Sequence, residues 1–201
     1  SNLTFTTYSW GQDGDLPVPT DRDNDGRADL VLFRPSTSTW YPRSTATGPL
    51  TPTQFGAAGD KPMVGDFDAD GIGDTAVYRP SDHNWYILKS GGGFFVQTWG
   101  EGDDIPTTGD FDGDGATDLA VFRLSTGQWF LSRTTAGFDS QSWGQAGDVP
   151  VAADYDGDGK TDIAVFRPAT ATWYIINSTT GLQATQFGQT GDVPTQSSYL
   201  Y

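Results

Sequence analysis

At 201 residues and 21.6 kDa the chain is long enough for one substantial core or one compact repeat array. The 26 Gly, 12 Pro, 12 Phe, 8 Tyr and 7 Trp favour short strands joined by many turns. A net charge of −15 repels nucleic acid and anionic membrane surfaces, so neither is expected as a partner, and the absence of Cys removes disulfides from the account. Of the 26 acidic residues only Glu101 is not Asp, a residue that prefers turns and oxygen-ligand sites to helix interiors. No apolar run reaches the roughly 18 residues of a membrane span, and no stretch reads as a signal peptide.

Taken from the N-terminus, "LTFTTYSWG" reads as a lone outer strand, and the acidic stretch "DRDNDGRADLVLFR" then begins at Asp21. It recurs as "DFDADGIGDTAVYR" from Asp66, "DFDGDGATDLAVFR" from Asp110 and "DYDGDGKTDIAVFR" from Asp154, a period of 45, 44 and 44 residues. Trp40, Trp85, Trp129 and Trp173 each stand nineteen positions after the first aspartate. Trp10-Gly11, Phe55-Gly56, Trp99-Gly100, Trp143-Gly144 and Phe187-Gly188 mark the unit ends. The repeats are therefore about 11–55, 56–99, 100–143 and 144–187, all within one domain.

Inside the third unit, "DIPTTGDF", "DLAVFR", "QWFLSR" and "FDSQSWG" are strand-length segments separated by turn residues, and no window has a helical period. Four strands per unit of about 44 residues predict an all-β chain, a β-propeller of four complete four-stranded blades. The segments 1–10 and 188–201 are left over as terminal strands. We expect them to close the ring as a reduced fifth blade or to join chains into a homo-oligomer, because unpaired strand edges invite association. Ser198 stands where Asp154 stands one unit earlier, so the C-terminal segment has lost its acidic loop.

The crowding of aspartates needs a physical reason. Two carboxylates about 4 Å apart repel by roughly 1 kcal/mol in water and about 4 kcal/mol at an effective dielectric of 20. Four of them make six such pairs, and loops 66–74 and 110–118 contain no Lys or Arg to offset the repulsion. Oxygen ligands at positions one, three, five and nine, a Gly at six for the turn and a carbonyl at seven suit calcium; the alternative is an empty acidic turn. An EF-hand is excluded, because its twelfth-position Glu is replaced by Leu32, Val77, Val121 or Val165 in an apolar strand.

The repeated "DxDGDGxxDxAVFRP" unit with its trailing "WG" or "FG" resembles the FG-GAP and VCBS repeats of extracellular proteins and is similar to the calcium loops of the integrin α-subunit propeller. The resemblance implies about four calcium ions. Their carboxylate ligands would be Asp21, Asp23, Asp25 and Asp29; Asp66, Asp68, Asp70 and Asp74; Asp110, Asp112, Asp114 and Asp118; and Asp154, Asp156, Asp158 and Asp162. Arg27, Ile72, Ala116 and Lys160 would add backbone carbonyls. It also implies a secreted or cell-surface module used in adhesion or in binding an extracellular protein or glycan, with no membrane insertion.

What recurs in a repeat array reads as scaffold. That applies to Arg34, Arg79, Arg123 and Arg167 and to Asp15, Asp60, Asp104 and Asp148, which are candidates for ion pairs. What deviates is Pro42, Arg43, Lys61, Met63, His83, "GGGFF" at 91–95 and Leu124, read first as drift in exposed turns. No catalytic residue is assigned. His83 is the only His, no Ser–His pairing is recognisable, and Asp13, Asp82, Asp103 and Asp139 are the only spare carboxylates considered for acid–base chemistry. A binding module is the leading expectation; the alternatives are a structural or self-assembling surface protein and, behind it, a polysaccharide-active enzyme.

Overall fold

A computed structural model describes residues 6–194. They form four antiparallel sheets, the blades of a β-propeller, with no helix among them. The first blade contains β1 (Leu16–Pro17), β2 (Leu30–Arg34), β3 (Thr39–Ser44), β4 (Gly48–Pro49) and β5 (Thr53–Gln54). Both β4 and β5 pair with β3, so they are two pieces of one outer strand. Pro49 and Pro52 interrupt that strand, since proline cannot donate to the ladder.

The second blade is β6 (Lys61–Gly65), β7 (Asp74–Arg79), β8 (Asn84–Leu88) and β9 (Phe94–Thr98). The third is β10 (Asp104–Gly109), β11 (Asp118–Arg123), β12 (Gln128–Arg133) and β13 (Gly137–Ser142). The fourth is β14 (Val149–Pro150), β15 (Ile163–Arg167), β16 (Thr172–Asn177) and β17 (Gly181–Gln186). Each of these three pairs its strands in chain order, as the repeat predicts. Register is conserved from blade to blade: Thr20 faces Asp29, Gly65 faces Asp74, Gly109 faces Asp118 and Ala153 faces Asp162.

The repeat markers are core. The second-strand ring packs on the third-strand Trp in every blade, with centroids 5.0 to 5.4 Å apart in Phe33–Trp40, Tyr78–Trp85, Phe122–Trp129 and Phe166–Trp173. Each of these indoles also donates to the carbonyl of the aromatic that ends its unit, Trp85 to Trp99 at 3.0 Å for example. Met63, which deviates from the repeat, is buried in this core and is not in an exposed turn. A thioether fills the gap on β6 without needing a polar partner.

Neighbouring blades are tied by backbone and side-chain bonds at repeated positions. The amides of Gly73, Thr117 and Thr161 donate to the carbonyls of Asp21, Asp66 and Asp110, each at 2.6 Å. Trp99 donates to Phe130 O at 3.3 Å and Trp143 to Tyr174 O at 3.0 Å. A Cβ on Gly109 would lie 2.5 Å from Thr161 Cγ2, so only glycine permits this approach of the third blade to the fourth.

Trp10 donates to Tyr41 O at 3.3 Å, and Arg43 covers the Tyr8 ring at 4.4 Å. The N-terminal segment thus stands against the first blade as the Trp99 segment stands against the third. Residues 6–10 and 187–194 contain no strand. The expected pairing of the two ends falls largely on 1–5 and 195–201, outside the described residues.

Every blade also contains the expected ion pair. Arg34–Asp15, Arg79–Asp60, Arg123–Asp104 and Arg167–Asp148 lie at 2.7 to 2.8 Å, with the carboxylate side chains nearly or fully buried. In each, Nε and a terminal nitrogen of the arginine grip the two carboxylate oxygens. The guanidinium lies 4.2 to 4.4 Å over the ring of Tyr41, Tyr86, Phe130 or Tyr174.

Removing one partner leaves a buried charge. Arg79→Ala is therefore expected to cost about 3 to 5 kcal/mol and to lower Tm by roughly 10 °C in a domain of this size. Arg79→Lys should recover only part, because an ammonium cannot reproduce the two-point grip. Scanning calorimetry of the two variants checks both. The Arg34 guanidinium also holds the Asp15 carboxyl below its usual range. Its stabilisation is therefore present above the unfolded value of about pH 4 and is lost as pH falls through the folded value. Acid titration of Arg34→Met should show a shallower loss of stability below about pH 4 than the wild type.

Candidate metal centres

Each acidic loop links the first strand of a blade to the second, and its geometry starts from the ninth-position aspartate. Asp29, Asp74, Asp118 and Asp162 have almost no exposed surface. One oxygen of each accepts the amide of the loop's second residue, Arg22, Phe67, Phe111 or Tyr155, at 2.8 to 3.0 Å. The other accepts the amide of Thr45, Ser90, Thr134 or Ser178 in the turn after the third strand, at 2.6 to 2.7 Å. Burial nonetheless pushes the carboxyls of Asp74 and Asp118 above the usual range.

The first aspartate folds the loop over itself. Asp110, for instance, accepts the amides of Gly113, Asp114 and Gly115. The sixth residue is a glycine with φ of 78° to 90° in all four copies, as the sharp turn requires.

Three carboxylates per loop offer an oxygen within 4.8 Å of the others. In loops one, three and four these are positions one, three and nine: Asp21, Asp23 and Asp29; Asp110, Asp112 and Asp118; Asp154, Asp156 and Asp162. In the second loop they are Asp66, Asp68 and Asp70. Three of the four predicted carboxylates thus converge in each loop. The fifth-position groups of the second, third and fourth loops each accept a hydroxyl from the turn after the third strand, Asp70 from Ser90, Asp114 from Thr134 and Asp158 from Ser178.

The third-position carboxylate distinguishes the loops. Asp112 Oδ2 accepts the Thr135 hydroxyl at 2.9 Å and the amides of Thr135 and Ala136, and Asp156 is held the same way by Thr179 and Thr180. Asp23 Oδ2 accepts the Ser44 hydroxyl at 2.5 Å. In all three, Oδ1 is buried and has no hydrogen-bond partner. Residues 91–93 of the second blade are glycines and offer no hydroxyl. There Asp68 turns to the Lys89 ammonium at 3.6 Å. Arg22 adds a second cation: it donates to Gly73 O and is attracted by both Asp29 and Asp74.

Sequence reasoning located the aspartates and missed these partners. A signal was available for the amide donors to the ninth-position aspartates, since Thr45, Ser90, Thr134 and Ser178 all stand five residues after a marker tryptophan. Arg22 and Lys89 break the repeat and had no such signal.

Residues 110–165 match the FG-GAP-like repeat. No curated protein matches the chain by sequence. Among solved structures, a streptogramin B lyase aligns with TM-score 0.60 at 13% identity, over 92% of this chain and 59% of its own. A lectin of Agrocybe aegerita, described as recognising non-reducing terminal N-acetylglucosamine, aligns with TM-score 0.56 at 17% identity, over 88% and 52%. A virginiamycin B lyase from Staphylococcus aureus aligns with TM-score 0.59 at 12% identity, over 90% and 58%. At these identities the likeness shows the fold alone, and the chain spans between half and three fifths of the length of these structures. The unit matched at 110–165 recurs in register in all four blades, so the chain is a β-propeller that contains an FG-GAP-like repeat at 110–165.

Proposed function

We propose that the chain is a calcium-stabilised extracellular binding module, its blades held by cations in the acidic loops and its ligand being a glycan or an extracellular protein. The observation that carries the metal reading is the orphaned Oδ1 of Asp23, Asp112 and Asp156. A buried carboxylate oxygen without a donor costs several kcal/mol unless a cation supplies the missing partner. The donor set is all oxygen, which suits a hard cation such as calcium over zinc or copper. Asp21, Asp23 and Asp29, their counterparts in the third and fourth loops, and Asp66, Asp68 and Asp70 in the second would hold the ion, and its role is to neutralise the loop.

Extracellular modules work with dissociation constants of about 0.1 to 1 mM, so millimolar calcium outside the cell fills such sites and the cytosol does not. Secretion or display on a cell surface follows from that. The binding reading is supported by the family and by the rigid blades, which present loops at both ends of each sheet. An enzymatic reading is disfavoured by the placement of His83. It sits in the turn between β7 and β8 in a left-handed backbone conformation, φ 56°, away from the acidic loops.

Loops one, three and four each have the orphaned oxygen, whereas in the second loop the third-position Asp68 is partly neutralised by Lys89. Calorimetric titration of calcium into chelator-treated protein should therefore resolve three comparable sites and a weaker fourth. A ligand at about 100 times its dissociation constant stabilises by roughly 2.7 kcal/mol per site. Chelation of three sites should lower Tm by roughly 15 to 30 °C, and a melting curve unmoved by excess EDTA would overturn the metal reading. Asp112→Asn should lower Tm in calcium by several degrees and leave the melting curve in EDTA nearly unchanged, because without an ion the lost charge relieves repulsion inside the loop.

A further inference from the structure

Repetition separates scaffold from specialisation in the cavities as it does in the sequence. A cleft of about 160 Å3 between Trp10, Arg34 and Tyr41 and one of about 300 Å3 between Trp99, Arg123 and Phe130 occupy the same place in the repeat, so they belong to the blade-to-blade scaffold. A third cavity, also about 300 Å3, lies between the second and third blades, and its lining is unlike that of the other interfaces.

Its apolar walls are Phe67, Ile87, Phe95 and Leu119. Strand alternation puts Phe95 and Gln97 on the face of β9 toward the third blade, with Phe94 and Val96 on the other. Phe95 remains 45% exposed, an aromatic face with no ring stacked upon it among the described residues. Polar groups frame that face: the Gln97 amide, which donates to the Ser132 hydroxyl at 2.7 Å across the interface, and Thr134.

Two cations complete the lining, Lys89 and Arg133. They stand at the same position of adjacent blades, each four residues after the marker tryptophan, where the first blade has Ser44 and the fourth Asn177. Their acidic contacts are loose, 3.6 Å to Asp68 and 3.5 Å to Asp139, against 2.7 to 2.8 Å in the four scaffold pairs. The position of Phe95, opposite Ile87 on the neighbouring strand, is taken by Asp139 opposite Leu131 and by Gln183 opposite Ile175 in the next blades. Among the described residues, lysine, arginine and an open aromatic face thus coincide at this interface only.

We propose that this cavity is a binding site for an acidic sugar, one pyranose ring bearing a carboxylate. The inference rests on the binding-module reading above and names its ligand class. A ring-sized group fits a cavity at the lower end of ligand-pocket volumes. The apolar face of the ring packs on Phe95, its hydroxyls meet Gln97, Ser132 and Thr134, and its carboxylate lies between Lys89 and Arg133 in charge-assisted hydrogen bonds. The chain's negative field is screened beyond about 8 Å at physiological ionic strength, so the two cations dominate at contact.

The test is a titration of methyl β-glucuronide, with methyl β-glucoside as its uncharged counterpart, followed by calorimetry and by NMR of the full chain in calcium and again in EDTA. One saturable site is expected for the glucuronide, with the glucoside bound at least tenfold more weakly. Lys89→Ser, Arg133→Ser and Phe95→Ala should each lower affinity about tenfold or more, while Phe138→Ala, on an exposed ring outside this cavity, leaves it unchanged. Melting curves of every variant separate lost binding from lost fold. No saturable binding of the glucuronide, equal binding of the glucoside, or full affinity in the Lys89→Ser/Arg133→Ser double variant at an unchanged Tm overturns the proposal. Because Tm in EDTA reports on the metal reading alone, the two can fail independently.

Discussion

A buried carboxylate at the start of the second strand is the constraint on which each blade depends. Asp29, Asp74, Asp118 and Asp162 receive one amide from the start of the acidic loop and one from the turn after the third strand. Three separate segments are thereby fixed to one side chain. A buried ionised group needs such donors, and the donors in turn dictate where the loop enters and leaves. The remaining aspartates are crowded around this point because the loop is short, and the crowding is what calls for a cation.

The opposite end of each blade solves a charge problem with protein groups alone. There a buried carboxylate meets a guanidinium and an aromatic face, with Glu101 as a second, exposed partner of Arg123 in the third blade. The acidic loops have more negative groups than the chain supplies positive ones, so the two ends of the blade differ in kind: one is electrostatically closed, the other open to an ion. Most of the net charge of −15 is that asymmetry summed over four copies.

Much of this was legible in the sequence because repetition turns single residues into patterns. The four strands per unit, the Arg–Asp pairs and the crowding of loop aspartates each appear four times and could be read from the repeat, whereas the packing of the second-strand ring on the marker tryptophan could not. What escaped was whatever occurs once or depends on a partner distant in sequence. Lys89 reaches Asp68 across 21 positions, and Arg22 reaches Gly73 across 51. The split of the first blade's outer strand into β4 and β5 follows from Pro49 and Pro52, legible in principle but masked by the expectation of four equal units. Phe95 looked like drift in a glycine-rich turn; only the neighbouring blade shows which face of the strand it occupies.

The bonds from Gly73, Thr117 and Thr161 back to Asp21, Asp66 and Asp110 bear on how the array behaves as a statistical object. Each starts immediately before the buried carboxylate of one blade and ends on the backbone of the preceding loop. Order in a loop is therefore worth more when the following blade is formed, and the reverse holds with equal strength. Such a chain of units obeys nearest-neighbour coupling, where intrinsic stability and interface stability are separate quantities. Local opening should then spread from an interior defect in both directions, and the amide protons at these three junctions would report the coupling directly through their exchange with solvent.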